Sequence, residues 1–448
     1  MKRWEKTVQT DLLVDLKGIL PEERMAEEEG EIHPLGNGGK VTVYPESEEE
    51  IAEILRYANT HGKKISIVGG GTKRGFGGVN ESADILLSLA NMIGIVEHTV
   101  GDMTLTVKAG TPFKDLQNAL AAHNQKMALD VNWPGYATIG GVIAANDSGP
   151  KRLGYGSSRD AVIGLRVIYP DGTIIRTGGK VVKNVAGYDM NKLFIGSMGT
   201  LGVISEVTLK LRPLPKYESL VLLRFPNGDL QEIRSFAIKV LDSMMEPVAL
   251  ELLNPLLAEK LTGHHQYTVA ISFEDNESSV HYQEDFIHKI QPEKSQIDIL
   301  SQKNAQAFWD QFYQIAPNGA AKFTNTQTIE AALKIGVVNL DVLNVLREVQ
   351  LLQDSHPISI LAHGGLGHGL CQVIVKGSSE EVLSAIQWLR NSVERMGGYV
   401  VVKHLPLILR QKIEVWGKKP SHFFLLEGIK NKIDPNGILN QGRFVGGI

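Results

Sequence analysis

The sequence predicts a mixed α+β protein that contains more than one domain. Its 448 residues exceed the size at which a single hydrophobic core usually stops growing. Glycine is dense in two tracts of the first half and becomes sparse after about residue 216, where helical segments alternate with strands. We therefore expect two units of different architecture that meet near residue 215.

The composition excludes several classes of function. The chain has 46 Lys and Arg against 50 Asp and Glu and no run dense in basic residues, which argues against nucleic-acid binding. Its one cysteine, Cys371, cannot supply a disulfide framework, a structural zinc site or an iron–sulfur cluster. No stretch approaches the roughly 20 apolar residues that cross a bilayer. We expect a cytoplasmic protein whose contact with the inner membrane, where there is one, runs through partners.

The first glycine tract follows a strand, a helix and a second strand. "VTVYP" is typical of a strand, and Ser47 with Glu50 forms the capping-box pattern that begins a helix. We expect this helix, "EEEIAEILRYANTHG", to end near Gly62. "KKISIVGGG" is the next strand, and it leads directly into the glycines.

The glycine loop itself, "ISIVGGGTKRGFGG", has two explanations. The amphipathic helix of a dinucleotide-binding fold does not follow it, and the chain contains no complete G-x-G-x-x-G or G-x-x-x-x-G-K-[ST]. Consecutive glycines expose backbone N–H groups that suit phosphate oxygens, and Lys73 and Arg74 add positive charge. A tight turn in solvent is the alternative.

The second glycine tract runs from Pro134 to Gly202 and contains a hairpin. "AVIGLRVIYPDGTIIRTG" places Asp171 and Gly172 between two β-branched runs, a strong hairpin signal. The glycines of "TIGGVIAANDSG" and "GSMGTLG" lie instead among small apolar residues. We expect a flat ligand to press on buried backbone there.

The remainder of the chain predicts a separate α/β unit. "NAQAFWDQFYQI" and "SSEEVLSAIQWLRNSVERMGG" have helical patterns, whereas "QYTVAISF" and "LCQVIVKG" are typical of strands. The last segment combines a short helix with a turn at Asp434–Gly437.

These tracts, followed by "KNVAGYDMNKLFIGSMGTLGVISEVTLKLRPLP", resemble the FAD-binding domain of the family typified by vanillyl-alcohol oxidase and p-cresol methylhydroxylase. Within it, the chain is most similar to the D-2-hydroxy-acid dehydrogenase branch, over about Val41 to Pro215 and in the tail "DPNGILNQGRF". The resemblance implies a two-lobed FAD-binding domain, an α/β cap domain and a C-terminal segment that returns to the FAD domain. The predicted boundaries are 1–33 for an N-terminal arm, 34–215 for the FAD-binding domain with lobes 34–90 and 91–215, 216–410 for the cap and 411–448 for the return.

The resemblance also implies the cofactor and its contacts. FAD should bind non-covalently, because the glycine loop carries Thr72 and no histidine, and Cys371 lies far away in the cap. The residues implied to contact FAD are Gly69, Gly70, Gly71, Thr72, Lys73, Gly77 and Gly78 at the pyrophosphate; Thr138, Ile139, Gly140, Gly141, Ala144, Ser148 and Gly149 along the ribityl chain and ring; Gly202, Val203 and Ile204 at the adenine; Asn440 from the C-terminus; and Pro134, without an assigned part of FAD.

The metal motif of the branch is incomplete in this chain. Active members carry H-x-G-D-G-N-x-H, whereas this chain has "HGGLGHGL", with Leu366, His368 and Leu370 in place of three of the polar residues. We predict no metal site, because two histidines without a carboxylate are weak evidence for one. A two-histidine site formed by His363 and His368 is the alternative.

The catalytic candidates follow from these departures. His363 or His368 is the candidate base, and Arg152, Arg159 or Lys183 is the candidate cation for a substrate carboxylate, with surface ion pairs as the alternative for each cation. The E-H-G-x-G element of the branch is missing. His404 and Arg410 are candidate substrate contacts in its place, with a helix-end histidine and a solvated arginine as the alternatives.

This combination resembles the FAD-binding E-type subunits of three-part bacterial glycolate oxidases. It implies oxidation of glycolate, or a similar small 2-hydroxy acid, with electrons passing through FAD to an iron–sulfur partner. The implied partners are a D-type FAD subunit and an iron–sulfur subunit. The alternatives are a non-catalytic FAD-bearing assembly or relay subunit and a stand-alone D-lactate-type flavin dehydrogenase.

Overall fold

The computed structural model describes residues 12–27, 33–180, 187–322 and 328–448. Within these ranges the chain forms 18 strands in three sheets, together with 14 α-helices that lie wholly inside them and a helical segment at 12–16. The α+β class predicted from the sequence is confirmed.

The first sheet has four strands and carries the glycine loop. Its order is β1-β2-β4-β3, formed by β1 (Met25–Glu27), β2 (Gly38–Val43), β3 (Ile65–Val68) and β4 (Ser82–Ser88). Strands β2, β4 and β3 are parallel, and helix α1 (Glu48–His61) connects β2 to β3. As predicted, Ser47 Oγ accepts the N–H of Glu50, and the left-handed Gly62 ends the helix at φ 63°.

The second sheet is antiparallel and follows the first. It contains β5 (Ile95–Thr99), β6 (Thr104–Lys108), β7 (Gln125–Met127), β8 (Val162–Ile168), β9 (Ile174–Gly178) and β10 (Val203–Pro213), in the order β5-β6-β10-β8-β9 with β7 on β10. Strands β8 and β9 form the predicted hairpin, with Gly172 at φ 80° in its turn. Five helices lie between these strands: α2 (Phe113–Ala121), α3 (Ile139–Ala145), α4 (Arg152–Tyr155), α5 (Ser158–Ala161) and α6 (Asn191–Phe194).

The first two sheets share one hydrophobic core. Ile51 and Leu55 of α1 pack in the same cluster as Val207 of β10. Ile438 and Leu439, from the end of the chain, belong to it as well. The C-terminal segment is therefore an integral part of this half of the molecule.

The third sheet has eight strands and occupies the middle of the chain. Its strands are β11 (Tyr217–Phe225), β12 (Ala249–Leu253), β13 (Tyr267–Asp275), β14 (Gln296–Ser301), β15 (Ile329–Gly336), β16 (Ser359–Gly365), β17 (Leu370–Gly377) and β18 (Tyr399–His404), in the order β14-β11-β13-β12-β16-β17-β15-β18. The accompanying helices are α7 (Leu230–Leu241), α8 (Pro255–Thr262), α9 (Glu277–Ile290), α10 (Lys303–Phe312), α11 (Val342–Ser355), α12 (Ser379–Arg395) and α13 (Leu407–Arg410). All of its strand pairs are antiparallel.

The chain ends by returning to the first sheet. After α14 (Phe423–Ile433), Leu439 forms a parallel bridge with Ile65. Lys64 fixes the turn between α14 and Leu439, because its Nζ donates to the carbonyl oxygens of Asn436 and Gly437 at 2.9 and 3.0 Å. The division of the chain at residues 33/34, 215/216 and 410/411 stays a prediction. None of the helices described here is long and apolar enough to cross a membrane.

Candidate functional site: a glycine-lined cleft and an adjoining cavity

The glycines that follow β3 are required by the close approach of the second glycine tract. A Cβ on Gly69 would lie 2.1 Å from Oγ1 of Thr138, and one on Gly70 would lie 1.7 Å from the carbonyl oxygen of Tyr136. Gly71 has a φ of 71°, which side chains disfavour. The two glycine tracts of the sequence therefore meet, with the loop after β3 against the beginning of α3.

Helix α3 presents backbone rather than side chains at its first turn. Thr138 caps it by accepting the N–H of Gly141 on Oγ1. A Cβ on Gly140 would lie only 2.6 Å from the Cβ of Ala109, so α3 packs closely on the end of β6. Small residues in this turn leave room for a ligand beside the helix.

A cleft lies between these segments, and its empty volume is about 820 Å³ with open solvent included. Its described lining includes the cations Lys73, Arg74 and Arg443 and contains no carboxylate. Consecutive glycine amides form a concave surface that favours anions. The positive charge and the exposed amides together fit a negatively charged cofactor such as FAD.

Twelve of the predicted FAD contacts line this cleft. They are Gly69, Gly70, Gly71, Thr72, Lys73, Thr138, Gly140, Gly141, Ala144, Gly202, Ile204 and Asn440. Their individual roles stay predictions.

The other predicted FAD contacts lie elsewhere in the structure. Gly77 and Gly78 support the loop, since a Cβ would lie 2.2 Å from the carbonyl oxygen of Arg443 and 2.1 Å from Oδ1 of Asn37, respectively. The side chains of Ile139 and Val203 belong to the hydrophobic core, and Pro134 is not among the lining residues. Ser148 and Gly149 line a second, adjoining cavity.

Sequence reasoning missed several residues of the cleft wall, among them Asn37 and Arg443. Asn37, at φ 54°, donates from Nδ2 to the carbonyl oxygens of Arg74 and Gly77 at 2.7 and 3.0 Å. The Asn-Gly pair within "LGNGG" is a turn signal that could have drawn attention to it. Arg443 lies three residues after Asn440 in the tail segment, where the asparagine was the only residue predicted to contact FAD.

A second cavity adjoins the cleft, and its empty volume is about 410 Å³ with open solvent included. It is lined by Ser148, Gly149, Glu251, Lys334, His363, His368, Leu370, Cys371, Gln372 and Lys403. Both predicted histidines are therefore on its wall, together with a carboxylate that sequence reasoning did not foresee.

The unforeseen carboxylate, Glu251, is paired with His363. Strands β12 and β16 are neighbours, with Leu253 opposite His363, which places Glu251 Oε1 2.5 Å from His363 Nδ1. Both side chains are buried. A carboxylate only accepts, so Nδ1 of His363 carries the hydrogen and Nε2 is the atom that can accept a proton.

His368 is held differently. Its Nδ1 accepts the backbone N–H of Leu370 at 3.2 Å, so the hydrogen of the neutral ring lies on Nε2. Nε2 lies 3.9 Å from Oε2 of Glu251, beyond hydrogen-bond distance. Burial lowers the pKa of His368 and favours this neutral form. His368 is therefore arranged as a donor rather than a base.

Lysines make the cavity electropositive and connect it to the cleft. Burial and the charge of Lys403 lower the pKa of Lys334 to about 8. Lys403 donates to Oδ1 of the buried Asp147 at 2.6 Å, while Lys73 of the cleft lies 3.0 Å from Oδ2 of the same carboxylate. Burial would raise the pKa of Asp147, but the two lysine charges outweigh burial and lower it. Asp147 thus connects the wall of the glycine-lined cleft to the wall of the second cavity.

Only one of the predicted cations is near the cavity in the described structure. Arg152 donates from Nη1 to Oγ of Ser148 at 3.1 Å, beside the cavity. Arg159 is exposed and donates to the carbonyl oxygen of Lys192. Lys183 lies outside the described residues.

Two interpretations from the sequence are wrong: His404 as a helix-end histidine and Arg410 as a solvated arginine. His404 ends strand β18 rather than a helix, and its ring packs against Gly75. Arg410 is not solvated: it is fully buried and donates to the carbonyl oxygens of Gly78, Leu405 and Leu35. Its role is to hold α13 against the first sheet. In the described parts of the chain, no three His, Cys, Asp or Glu side chains are grouped to hold a metal.

Comparison with known proteins supports the predicted cofactor. The family described as "FAD binding domain" matches residues 39–178. Residues 39–178 are thus similar to FAD-binding domains, which supports FAD as the cofactor, as the sequence predicted. Its position in the glycine-lined cleft stays a prediction.

Curated relatives match nearly the whole chain. The chain is 27% identical over 417 residues to glycolate oxidase subunit GlcD of Bacillus subtilis, covering 90% of this chain and 88% of that protein. It is also 27% identical to the D-lactate dehydrogenase of Archaeoglobus fulgidus, with 90% and 91% covered. The same identity is found with D-2-hydroxyglutarate dehydrogenase of Xanthomonas citri pv. viticola, with 89% and 88% covered.

Solved structures confirm the type of fold. The chain superposes on p-cresol methylhydroxylase with a TM-score of 0.72 at 14% identity, covering 97% of this chain and 96% of the other. For 4-ethylphenol oxidase from Gulosibacter chungangensis the TM-score is 0.74 at 16% identity, with the same coverage. The predicted p-cresol methylhydroxylase-type architecture of the FAD-binding domain is thus confirmed.

Proposed function

We propose that this chain is an FAD-dependent oxidoreductase that converts a small 2-hydroxy acid, with glycolate as the first candidate, to the corresponding 2-oxo acid. The observation that carries the proposal is the His363–Glu251 pair in an electropositive cavity beside the FAD cleft. The names of the relatives support the class of substrate. In this proposal, residues 34–215 bind the cofactor, 216–410 form the cap over the substrate, and 411–448 close the cleft.

The substrate carboxylate is held by the cations of the cavity. Lys334 has a lowered pKa because it is buried beside Lys403, and an anion relieves that repulsion. Arg152, fixed through Ser148, adds a second cation near the same wall. A bound carboxylate therefore gains charge-assisted hydrogen bonds and compensates buried positive charge.

His363 is the base that accepts the substrate hydroxyl proton on Nε2. Glu251 holds the ring through Nδ1 and stabilises the imidazolium that results. His368 donates from Nε2 to the substrate oxygen and fixes its orientation. In this assignment His363 accepts a proton and His368 donates a hydrogen bond, so the two histidines named from the sequence have different roles.

FAD, when bound, supplies the acceptor for the hydride released from the carbon that bears the hydroxyl group. We propose an iron–sulfur subunit as the next electron carrier, with a D-type FAD subunit in the same complex. Cys371 is buried, and one thiol cannot ligate a cluster, so the cluster must belong to a partner.

A non-catalytic FAD-bearing subunit is the second candidate. Leu366 stands where the metal motif of the branch has a carboxylate, and it is fully buried in the core of the cap. This difference favours the non-catalytic candidate. A relay subunit would still bind FAD but would have no use for a paired His363. The reduction of flavin by substrate therefore separates the two candidates.

The test is anaerobic reduction of the FAD-loaded chain by glycolate, D-lactate and D-2-hydroxyglutarate, followed by the oxidised flavin absorption band. We expect bleaching by at least one acid, and a loss in rate of about 10²–10⁴-fold in His363→Gln. The matched control is His281→Gln, which removes an exposed histidine at 2.7 Å from Glu284. Flavin that stays oxidised until an iron–sulfur partner is added would favour the relay function.

A further inference from the structure

Arg443 is a cation of the cleft wall for which the described chain supplies no carboxylate partner. Its guanidinium donates to three carbonyl oxygens of the glycine loop and its strand, those of Phe76, Ile67 and Lys73, at 3.3, 3.4 and 3.2 Å. These bonds occupy three of its five N–H donors. The side chain is half-buried and faces the cleft.

The backbone of Arg443 is fixed from two sides. Nε1 of Trp416 donates to its carbonyl oxygen at 3.3 Å, and a Cβ on Gly77 would lie 2.2 Å from that same oxygen. Asn440, three residues earlier, is bonded to Ile67 and Met198 through its side chain. The guanidinium is therefore held in place before any ligand binds.

Charge is the unusual feature of this position. Burying a cation is costly unless an anion compensates it, and carbonyl dipoles compensate only in part. Burial lowers the pKa of Arg443 to about 10, and the nearby charge of Arg74 contributes to this lowering. Lys73, by contrast, has Asp147 as its partner. The wall therefore holds more positive charge than the described protein neutralises.

We propose that Arg443 binds the diphosphate of FAD, so that the C-terminal segment supplies the counter-charge for the glycine nest. The diphosphate is the anionic part of FAD, and a planar guanidinium is the side chain best suited to phosphate oxygens. The inference concerns the cofactor alone and does not depend on the substrate proposed above. A purely structural role, in which Arg443 only holds the loop carbonyls, is the competing explanation.

The experiment compares three ligands on the full chain after removal of flavin. FAD and ADP contain the diphosphate, whereas riboflavin does not. We expect Arg443→Gln to raise the Kd for FAD and for ADP by about 10- to 100-fold, and the Kd for riboflavin by less than about threefold. Arg443→Lys, which keeps the charge without the planar fork, should fall between wild type and Arg443→Gln.

The control is Lys64→Gln. It removes another cation that anchors the same segment through carbonyl oxygens but does not line the cleft, and the FAD to riboflavin ratio should not change. An equal loss of riboflavin and ADP affinity in Arg443→Gln would overturn the proposal and favour the structural role.

A second measurement does not depend on the folding of a variant. Modification of Arg443 by phenylglyoxal in the wild-type chain, followed by peptide mass spectrometry, should be slowed by inorganic pyrophosphate and by ADP. Protection by riboflavin but by neither of these anions would contradict the assignment.

Discussion

Glu251 and His363 face each other across neighbouring strands, with Oε1 of the glutamate 2.5 Å from Nδ1 of the histidine. The pair is buried at the wall of the cavity beside the glycine-lined cleft. A histidine held in this way has one defined tautomer and one nitrogen left to accept a proton.

Glu251→Gln should therefore slow flavin reduction by at least about 10²-fold, because the amide neither fixes the ring tautomer nor stabilises the imidazolium. Anaerobic stopped-flow absorbance measures the rate. Glu259→Gln removes the carboxylate of an exposed pair with His265 and should leave the rate unchanged. A normal rate in Glu251→Gln would show that the pair only stabilises the fold.

Substrate binding should weaken above about pH 8, the pKa to which burial and Lys403 lower Lys334. Below that pH the ammonium is charged and attracts the substrate carboxylate; above it the neutral amine does not, so the Kd should rise up to about tenfold per pH unit. Substrate Kd measured across this range tests the prediction. Lys334→Arg, which stays charged, should flatten the profile, and an unchanged slope would implicate another group.

Asp147→Asn should destabilise the protein by about 3–5 kcal/mol, since it leaves Lys73 and Lys403 without their shared buried partner. Urea unfolding at neutral pH gives the free-energy change. The pKa of Asp147 is lowered in the folded state, so its contribution is complete above the unfolded pKa and is lost as the pH falls through the folded pKa. Glu22→Gln, which breaks a surface pair with Lys17, should cost less than about 1 kcal/mol.

Gly70→Ala should reduce FAD affinity at least tenfold, because its Cβ would lie 1.7 Å from the carbonyl oxygen of Tyr136 and must displace one wall of the cleft. Fluorescence titration with FAD measures the effect. Gly135→Ala is the matched control, since its Cβ would meet nothing within 4 Å. Equal FAD affinity in the two variants would mean that the loop tolerates the displacement.

Local patterns in the sequence were sufficient for much of the fold. The capped helix α1 and the hairpin at Gly172 depend on residues close together in the chain, and both form as predicted. The close approach of Gly70 to Tyr136 could not be predicted, because the sequence shows two glycine tracts but not that they meet.

The candidate site depends on contacts between distant positions. Glu251 and His363 are 112 positions apart, and Asp147 and Lys403 are 256 apart. These pairs follow from the register of strands β12 and β16 and from the packing of the third sheet on the first half of the chain. A glutamate in the middle of an apolar strand carried a signal of buried function, but its partner could not be named before the strands were paired.

The position of the C-terminal segment has a consequence for biosynthesis. Leu439 lies beside Ile65, and Asn440 and Arg443 form part of the cleft wall. A ribosome makes the glycine loop long before this wall, although domains generally fold from the N-terminus as they emerge. The nascent chain therefore carries an open half-site until Leu439, Asn440 and Arg443 have emerged, and the cleft can enclose a ligand only after that point.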